Sequence, residues 1–338
     1  MSIIFMGTVP KYTRIGWWGY GNEDCNIDNK KMLKLFIEMF DIHKWIIGME
    51  RGKRGYEHYQ FRLQCREEGD FDRLKNFLPE AHILKASDTW EYEAKEGLYY
   101  ASYDSSGSRR ARFGHRRRNQ RELLNYCKKQ GDRQITVLYD KNGRWGKSWL
   151  VRHALERGEG YYIPPTVSTV QGLIQFLASS IKADRDNGRP PRRLIFIDIP
   201  RSWKWSQDLY TALEVIKDGF AYDTRYHAQF YDCWGATVIV MTNVKPDKKK
   251  LSADRLEILE INGGVVTMSD TDPPTPISEA LSHRSRNTNR GAFSPPLGGE
   301  SKKVSHDTPS DTKSVEPLMT SIVVPSLTSN SKASFEDD

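Results

Sequence analysis

The sequence predicts two folded domains of mixed helix and strand, followed by a tail without a hydrophobic core. Three observations indicate this class. They are an alternating strand pattern at 58–65, a strand, glycine-bearing loop and helix at 135–151, and a shift to Ser, Thr, Pro and Asn beyond about residue 267. With 338 residues, of which 38% are hydrophobic, the chain is long enough to bury two cores.

Composition and charge narrow the classes of function. A formal net charge of +7 and 11% aromatic residues favour a polyanionic partner, with nucleic acid as the first candidate. The four cysteines lie far apart and form no CxxC pair, which argues against a zinc site or a disulfide framework and fits a reducing compartment. No apolar run approaches membrane-spanning length and no signal peptide is evident, so we expect a soluble intracellular protein without a membrane partner.

The first hundred residues predict a small domain of strands and helix. Strands are expected at 2–9 and 44–50, with a capped helix between them that begins near Asp28. The segment 58–65 alternates in polarity, as a strand with one buried face does. Its apolar residues are Tyr59, Phe61, Leu63 and Cys65, and its polar residues are His58, Gln60, Arg62 and Gln64.

Polar side chains on two of these strands form a candidate metal site. If 44–50 pairs antiparallel with 58–65, Glu50 lies near His58 and Gln60. A carboxylate, an imidazole and an amide oxygen suit a hard divalent ion such as Mg²⁺ or Mn²⁺. For His58 and Gln60 taken alone, the alternative is an ordinary solvated strand face.

A helical turn at 90–97 carries a candidate nucleophile. A spacing of three places Tyr92 and Lys95 on one face, so that a phenol and a cation can address one phosphate. A tyrosine can act as a covalent nucleophile, and a metal that polarises the phosphate lowers the barrier. The alternative is a structural aromatic residue beside a solvated lysine. The convergence of three elements on one chemistry favours the catalytic interpretation.

These segments, in this order, resemble a known family. Phe5-Met6-Gly7-Thr8-Val9-Pro10, then Glu50 with His58-Tyr59-Gln60, then Tyr92-Glu93-Ala94-Lys95-Glu96-Gly97 are similar to motifs of the HUH endonuclease domain in replication-initiator (Rep) proteins of circular single-stranded DNA viruses. The resemblance implies a ferredoxin-like or RRM-like sandwich with a mainly antiparallel sheet over 1–104. It also implies that Glu50, His58 and Gln60 hold the metal, that Tyr92 cleaves DNA, and that Lys95 helps to position the reacting groups.

Between 105 and 125 the composition shifts to Gly, Ser and arginine, which predicts a linker between two domains. So dense a run of like charges attracts phosphate, so the segment is a candidate DNA contact or a nuclear-import signal; a solvated linker is the alternative. The candidate DNA-contacting residues are Arg116, Arg117 and Arg118 in this segment and Arg62 on the polar strand face.

The second domain, 126–266, begins with a candidate phosphate-binding loop. An apolar strand at 135–138 leads into a glycine-bearing loop and a helix that opens with Lys-Ser, an arrangement that binds phosphate through backbone N–H groups, the lysine and a magnesium-bound hydroxyl. The residues concerned are Gly143, Gly146, Lys147 and Ser148. Lys141 stands where the full motif has Gly, so Gly143 and Gly146 must supply the backbone freedom. A common surface turn before an amphipathic helix is the alternative.

Two further strands each end in a polar side chain. The apolar run 194–197 ends at Asp198, where a carboxylate can hold magnesium, and 236–241 precedes Asn243, which can orient water or sense the terminal phosphate. Downstream, Arg255 is a candidate arginine finger across a subunit boundary. Each has an ordinary alternative as a strand cap, a turn residue or a surface charge.

Taken in order, these features resemble the superfamily 3 helicase domain that follows the nuclease in the same Rep proteins, most closely the smacovirus and nanovirus branch. The resemblance implies an AAA+-like P-loop α/β domain that binds Mg-ATP. It also makes Lys217, in Lys217-Asp218-Gly219, a candidate DNA contact, with a helix-ending glycine as the alternative. No second acid follows Asp198, so the base for ATP hydrolysis is open; Glu214 is one candidate.

The sequence therefore predicts a rolling-circle replication initiator. It would nick and rejoin single-stranded viral DNA at an origin stem-loop through a 5′-phosphotyrosine, unwind DNA with ATP as a homo-oligomer, expected to be a hexamer, and supply a 3′ hydroxyl to the host replication machinery. We expect it in the nucleus of a eukaryotic host and otherwise in the cytoplasm.

Three alternatives remain open from sequence. The first is a P-loop ATPase motor with a non-catalytic nucleic-acid-binding N-terminal domain. The second is a non-enzymatic RNA-binding protein, and the third is an inactive copy that keeps the fold. The tail, 267–338, is poor in apolar runs and is expected to be disordered.

Overall fold

The N-terminal half is built on a five-stranded antiparallel sheet. A computed structural model describes residues 2–15, 25–167, 169–225, 228–269 and 274–281. In this half the strands are β1 (Ile3–Pro10), β2 (Tyr12–Ile15), β3 (Cys25–Asp28), β4 (Trp45–Arg51), β5 (Glu57–Cys65), β6 (His82–Lys85) and β7 (Tyr99–Ala101), and the helices are α1 (Asn29–Met39) and α2 (Asp70–Phe77). The sheet order is β6-β1-β5-β4-β7, and β2 pairs separately with β3. The predicted antiparallel sheet is thus confirmed.

Helices α1 and α2 pack on one face of this sheet because β5 alternates as predicted. Tyr59, Phe61 and Leu63 point into the core and are almost fully buried. The backbone N–H of Lys30 donates to the side chain of Asp28, which caps α1 where the sequence predicts a helix start. The opposite face of β5 is not the ordinary solvated face that was the alternative for His58 and Gln60: Gln60 is only 7% exposed, because the segment before β7 covers it.

The second half is built on a mixed seven-stranded sheet. Its strands are β8 (Ile135–Tyr139), β9 (Gly160–Ile163), β10 (Leu194–Ile199), β13 (Thr237–Thr242), β14 (Leu256–Asn262), β15 (Val265–Met268) and β16 (Thr275–Pro276), and a separate hairpin is formed by β11 (Phe220–Asp223) and β12 (Gln229–Asp232). The order is β16-β15-β14-β8-β13-β10-β9. The five strands from β14 to β9 run parallel, and β15 and β16 pair antiparallel.

Helices cover both faces of the seven-stranded sheet, as a parallel sheet requires. They are α3 (Ser106–Phe113), α4 (Arg118–Cys127), α5 (Lys147–Glu156), α6 (Val170–Asp186) and α7 (Gln207–Lys217). Alternate strand residues enter two cores: one contains Leu177 and Leu213 from α6 and α7, and the other contains Leu123 and Leu150 from α4 and α5. In the strand register Asp198 lies opposite Met241, which lies opposite Leu138, so the carboxyl ends of β8, β10 and β13 meet at one edge.

The arginine-rich segment forms structure of its own, contrary to the prediction of a linker over 105–125. Ser105 caps α3, since its side chain accepts from the backbone N–H of Ser108. On α3, Arg112 is 1% exposed and pairs with Asp104 and Glu156. A buried arginine that binds acids on both sides of the segment fixes it in place, which a solvated linker would not do.

The folded part extends beyond residue 266. β15 reaches Met268, β16 pairs with it, and Ile277 is 2% exposed against the core of α4 and α5. Burial of an isoleucine stabilises a fold by about 2 kcal/mol, so this segment belongs to the domain. The remaining residues of the predicted tail, 270–273 and 282–338, lie outside the described residues. Within the part of the chain that the structure describes, no helix is long and apolar enough to cross a membrane.

His153 on α5 makes stability depend on pH. Its Nδ1 lies 2.6 Å from the carbonyl oxygen of Ala111 on α3, and its ring stacks on Trp149. Burial lowers the pKa of His153, although the hydrogen bond to Ala111 opposes the shift. The unfolded chain therefore binds the proton more readily, and stability is lost as pH falls through the usual pKa of about 6.5 towards the lower folded pKa.

We expect the free energy of unfolding to fall as the pH drops from 7.5 to below the folded pKa, in total by about 1.4 kcal/mol for each unit by which the pKa is lowered. Urea unfolding at several pH values measures this loss. The His153→Gln variant should lose the corresponding part of the pH dependence, whereas His115→Gln, at an exposed histidine, should keep it. Equal pH dependence in the His153 variant and the intact protein would contradict the assignment.

Candidate functional sites

The antiparallel pairing of β4 with β5 brings the predicted metal ligands together. Glu50 lies directly opposite His58 in the register, and Gly48 lies opposite Gln60. His58 Nε2 is 3.4 Å from Glu50 Oε2. A carboxylate and an imidazole thus share one end of the strand pair, as the alternation of β5 predicts.

Tyr92 and Lys95 lie over the same end of the sheet. A 3-10 helix, Tyr92–Ala94, and the residues to Gly97 form the 92–97 turn. Lys95 Nζ is 3.0 Å from Glu50 Oε1 and 3.7 Å from the ring centroid of Tyr92, whose side chain is 44% exposed. Burial lowers the pKa of Lys95, but hydrogen bonding with Tyr92 and with Glu50 more than offsets it, so the pKa is raised. The lysine is a permanent cation between the acid and the phenol.

The donors at this site fit a divalent cation. His58 Nδ1 is a buried atom that lacks a hydrogen-bond partner, whereas Glu50 Oε1 already lies 3.0 Å from the ammonium of Lys95. Burial of such a nitrogen without a partner costs about 1–3 kcal/mol, a cost that a cation bound at the imidazole would relieve. The described residues contain no group of three or more His, Cys, Asp or Glu side chains suited to a metal, since the third predicted ligand, Gln60, is an amide.

Arg62 has a structural position, which corrects its prediction as a DNA contact. It is 3% exposed, its Nε donates to Glu93 Oε1 at 2.9 Å, and its Nη1 donates to the carbonyl of Ser87 at 2.6 Å. Burial raises the pKa of Glu93, while the guanidinium of Arg62 opposes the shift. The pair fixes the 92–97 turn to the sheet, so Arg62 holds the neighbour of Tyr92 and has no surface for DNA.

Gly48 permits the close approach of the 92–97 turn. A Cβ at this position would lie 2.0 Å from the carbonyl oxygen of Glu93, far inside van der Waals contact. We therefore expect Gly48→Ala to displace the turn and to lower the free energy of unfolding by about 1–3 kcal/mol, the usual cost of overpacking. Urea unfolding measures this change. Gly52→Ala is the matched control, because its Cβ would meet only Tyr56 O at 3.6 Å. Equal stability of the two variants would contradict the packing argument.

The phosphate loop, 140–146, joins β8 to α5. Lys141 stands where the full motif has glycine. Gly143 and Gly146 have φ of 77° and 97°, so these two glycines supply the left-handed backbone conformation. Arg144, with φ of 68°, shares the same region of backbone space. Lys147 is the first residue of α5 and Ser148 the second, so both lie at a helix N-terminus, where an anion is favoured.

Asp140 organises this loop, a role that sequence reasoning missed. It is 1% exposed; its Oδ1 accepts from the backbone N–H of Gly143 at 2.8 Å, and its Oδ2 lies 2.5 Å from Lys147 Nζ. The available signal was an acid directly after the strand, seven residues before the lysine. The ammonium of Lys147 therefore has a buried counter-ion within the loop.

Asp198 and Asn243 lie at the same edge of the sheet. Tyr162 donates from its hydroxyl to Asp198 Oδ2 at 3.3 Å. Burial raises the pKa of Asp198, whereas the hydrogen bond from Tyr162 and the charge of Lys147 lower it. Asn243 Nδ2 donates to the carbonyl of Asp140, so its amide is tied to the loop. The structure thus brings lysine, acid and asparagine to one edge, in the predicted chain order.

The predictions for Lys217 and Arg255 are corrected, because both residues lie away from this edge of the sheet. Lys217 is 4% exposed and donates to Gln130 Oε1 and the carbonyl of Ala236, both at 3.0 Å, so it is a core residue and not a DNA contact. Burial lowers its pKa. Gly219, with φ of 89°, ends α7 as a helix-ending glycine does.

Arg255 is locked within its own chain. It is 9% exposed, binds both oxygens of Asp218 at 2.8 and 3.2 Å, and lies 3.1 Å from Glu214 through Nε. It immediately precedes β14, so this cluster lies at the amino ends of the parallel strands, opposite the phosphate loop. These contacts occupy Arg255 within its own chain, which argues against its prediction as an arginine finger, and they place Glu214 away from the phosphate loop, which argues against its prediction as the base for ATP hydrolysis.

The three arginines predicted to contact DNA differ in their surroundings. Arg116 is partly buried and paired with Glu159. Arg118 is exposed and pairs with Glu122 on α4. Arg117 is also exposed, and its Nη1 lies 3.9 Å from where a Cβ of Gly146 would stand. Arg117 and Arg118 are therefore the two that can meet a polyanion.

Two comparisons with known proteins found no match. No protein-family model matches the chain, and no curated protein matches it either. The functional assignment therefore depends on the chemistry of the two sites described above.

Proposed function

We propose that this protein is a rolling-circle replication initiator of the Rep type, with a DNA-cleaving N-terminal half and an ATP-driven C-terminal half. One observation carries the proposal: Tyr92, Lys95, Glu50 and His58 meet at one end of an antiparallel sheet, in a chain that also holds a phosphate loop. In this proposal, the N-terminal half is an HUH nuclease sandwich and the C-terminal half is an AAA+-like superfamily 3 helicase domain.

In the cleavage step, the oxygen of Tyr92 attacks the phosphorus of a DNA phosphodiester. The phenol gives its proton to solvent as a bond from the tyrosine oxygen to phosphorus forms; the bond to the 3′ oxygen breaks, and the 3′ oxygen takes a proton from solvent and leaves as a hydroxyl. The positive charge of Lys95 faces the charge that develops on the phenol and the phosphate. Because the product is again a phosphodiester, the 3′ hydroxyl can reverse the step and rejoin the strand without ATP.

Glu50, His58 and Gln60 would hold the divalent cation, which supplies positive charge to the scissile phosphate when bound. Exposure of the Tyr92 ring beside this site leaves room for a strand to approach. The exposed guanidinium groups of Arg117 and Arg118 add a sequence-independent attraction for the DNA backbone.

In the motor half, Lys147 and Ser148 would bind the phosphates and magnesium of ATP, with Asp198 and Asn243 beside them. Support comes from the meeting of these residues at the carboxyl ends of the parallel strands, where nucleotides bind in α/β sheets. The proposal includes assembly into a ring, expected to be a hexamer, action on viral origin DNA with the host replication machinery, and residence in the nucleus of a eukaryotic host.

A direct test uses DNA hairpins whose loops are randomised and whose 3′ ends are labelled, because the tyrosine retains the 5′ phosphate of the labelled fragment. Incubated with Mn²⁺ and the protein, they should give a labelled adduct that survives denaturing electrophoresis, and chelation should abolish it. ATP hydrolysis is measured on the same preparation. Hydrolysis without any adduct would reject the nuclease and leave a P-loop ATPase with a nucleic-acid-binding N-terminal half.

A further inference from the structure

A single helix connects the two candidate sites. α5 begins at Lys147 and ends at Glu156, which makes it about 15 Å long at 1.5 Å per residue. Directly after it, the carbonyl oxygen of Arg157 lies 2.0 Å from where a Cβ of Gly97 would stand. Gly97 has φ of 71° and follows Lys95 by two residues. The backbone of the 92–97 turn therefore packs against the end of α5 at a distance that only glycine permits.

Arg112 strengthens this junction from the side. Its guanidinium donates to Asp104 at 2.7 and 2.9 Å, to the carbonyl of Tyr99 at 2.8 Å and to Glu156 at 2.8 Å, and lies 3.5 Å from the centroid of the Tyr99 ring. Tyr99 belongs to β7, which pairs with β4, the strand of Glu50. One buried cation thus ties the nuclease sheet to the last turn of α5.

At the other end of α5, the ammonium of Lys147 has an acidic partner within the loop. Lys147 pairs there with Asp140. A bound phosphate competes for the same ammonium, and the loop itself is held from outside, where Gln120 Nε2 donates to the carbonyl of Gly146 at 3.2 Å. Replacement of the Asp140 carboxylate by a phosphate at Lys147 would change the contacts of the first residue of α5. Because α5 is a rigid element, such a local change can affect its other end.

We propose that Arg112 is a positioning residue through which nucleotide bound at Lys147 promotes DNA binding and cleavage at Tyr92. This inference rests on the proposed function. A phosphate that binds Lys147 changes the contacts at the start of α5, and the helix, Arg112 and the Gly97 contact pass that change to the 92–97 turn. The coupling is positive when the changed turn binds DNA more tightly. Because coupling between binding sites is reciprocal, DNA must tighten nucleotide binding by the same factor.

The test measures binding, so that it does not depend on cleavage. Full-length protein carrying Tyr92→Phe is titrated with a fluorescent non-hydrolysable ATP analogue and Mg²⁺, with and without the randomised-loop hairpins at saturation. We expect about fivefold tighter nucleotide binding in the presence of DNA, the lower end of typical coupling between distinct sites. Binding of both ligands without mutual effect would overturn this inference and leave the proposed function standing. Failure to bind the hairpins at all would reject both.

The route of coupling is tested with Glu156→Gln, which keeps the shape of the side chain and removes its charge from Arg112. The effect of DNA on nucleotide affinity should fall towards onefold, while each ligand alone binds as before. Glu122→Gln is the matched control, because it breaks the Arg118 ion pair on the surface of α4 and should leave the coupling intact. Full coupling in the Glu156 variant would exclude the path through Arg112.

A second measurement needs no substitution in the junction. Hydrogen exchange of the backbone amides at 95–101 should slow when the nucleotide analogue binds the intact protein. A merely structural role for Arg112 predicts no such change, since its contacts would be the same in both states. Unchanged exchange at 95–101, with protection at the phosphate loop, would also overturn the inference.

Discussion

Replacement of Tyr92 by phenylalanine is expected to abolish the covalent DNA adduct. Phenylalanine keeps the ring that lies under Lys95, 3.7 Å from its Nζ, and removes only the oxygen that would form the bond to phosphorus. Adduct formation should fall by on the order of 10³-fold or more, the scale seen when a nucleophile is lost. The measurement is denaturing electrophoresis of labelled hairpin DNA with Mn²⁺. Stability should change little, because Tyr92 is substantially exposed.

Tyr12→Phe provides the matched control. Tyr12 is 50% exposed and also carries a lysine over its ring, with Lys11 Nζ at 5.2 Å from the centroid. It lies on β2, outside the five-stranded sheet. Its substitution should leave adduct formation intact. An adduct that persists in Tyr92→Phe and disappears in Tyr12→Phe would move the nucleophile and defeat the assignment of the site.

Replacement of Lys147 by alanine is expected to abolish ATP turnover while DNA cleavage continues. The ammonium is the nearest fixed positive charge to the phosphates that the loop would bind, and a single preorganised donor of this kind is worth about 10²-fold or more in rate. Release of phosphate from ATP, with Mg²⁺ present, measures the loss. Asp140 would then be a buried carboxylate without its cation, so a moderate loss of stability is expected as well.

Two comparisons separate catalysis from folding in this experiment. Lys141→Ala removes an exposed lysine from the same loop and should leave turnover unchanged. A variant with Asp140→Asn and Lys147→Ala together should recover stability without recovering turnover, because the uncompensated charge is gone. If the adduct disappears entirely in Lys147→Ala, and does not merely fall by about fivefold as coupling would give, the two activities are not separable and the proposal of two distinct active sites fails.

Local patterns in the sequence were sufficient for the main elements. Alternation in β5 and its register with β4 place Glu50 opposite His58, as expected. The strand that ends before the phosphate loop and the strand that carries Asp198 are also where their apolar runs predict them. An alternating polarity pattern and a strand end each depend on neighbouring residues, so both can be recognised in a single sequence.

The burial of charged residues was not predictable in the same way. By residue type, Arg62, Lys217 and Arg255 look like surface contacts. Their partners, however, lie 31, 87 and 37 residues away in the chain. Nothing local distinguishes an arginine that meets DNA from one that neutralises a distant acid. The cover over the polar face of β5 is equally non-local, since it depends on the absence of a side chain at Gly48.

The two strands beyond residue 266 also determine how the second half can be studied alone. β16 is a two-residue edge strand that ends in Pro276, which has no N–H, and both features weaken pairing of this edge with another molecule. A chain cut at 266 would shorten β15, uncover the apolar surface under Ile277 and present an open strand edge. Such a fragment would be prone to aggregation, and a fragment of the second half should therefore extend to at least residue 281.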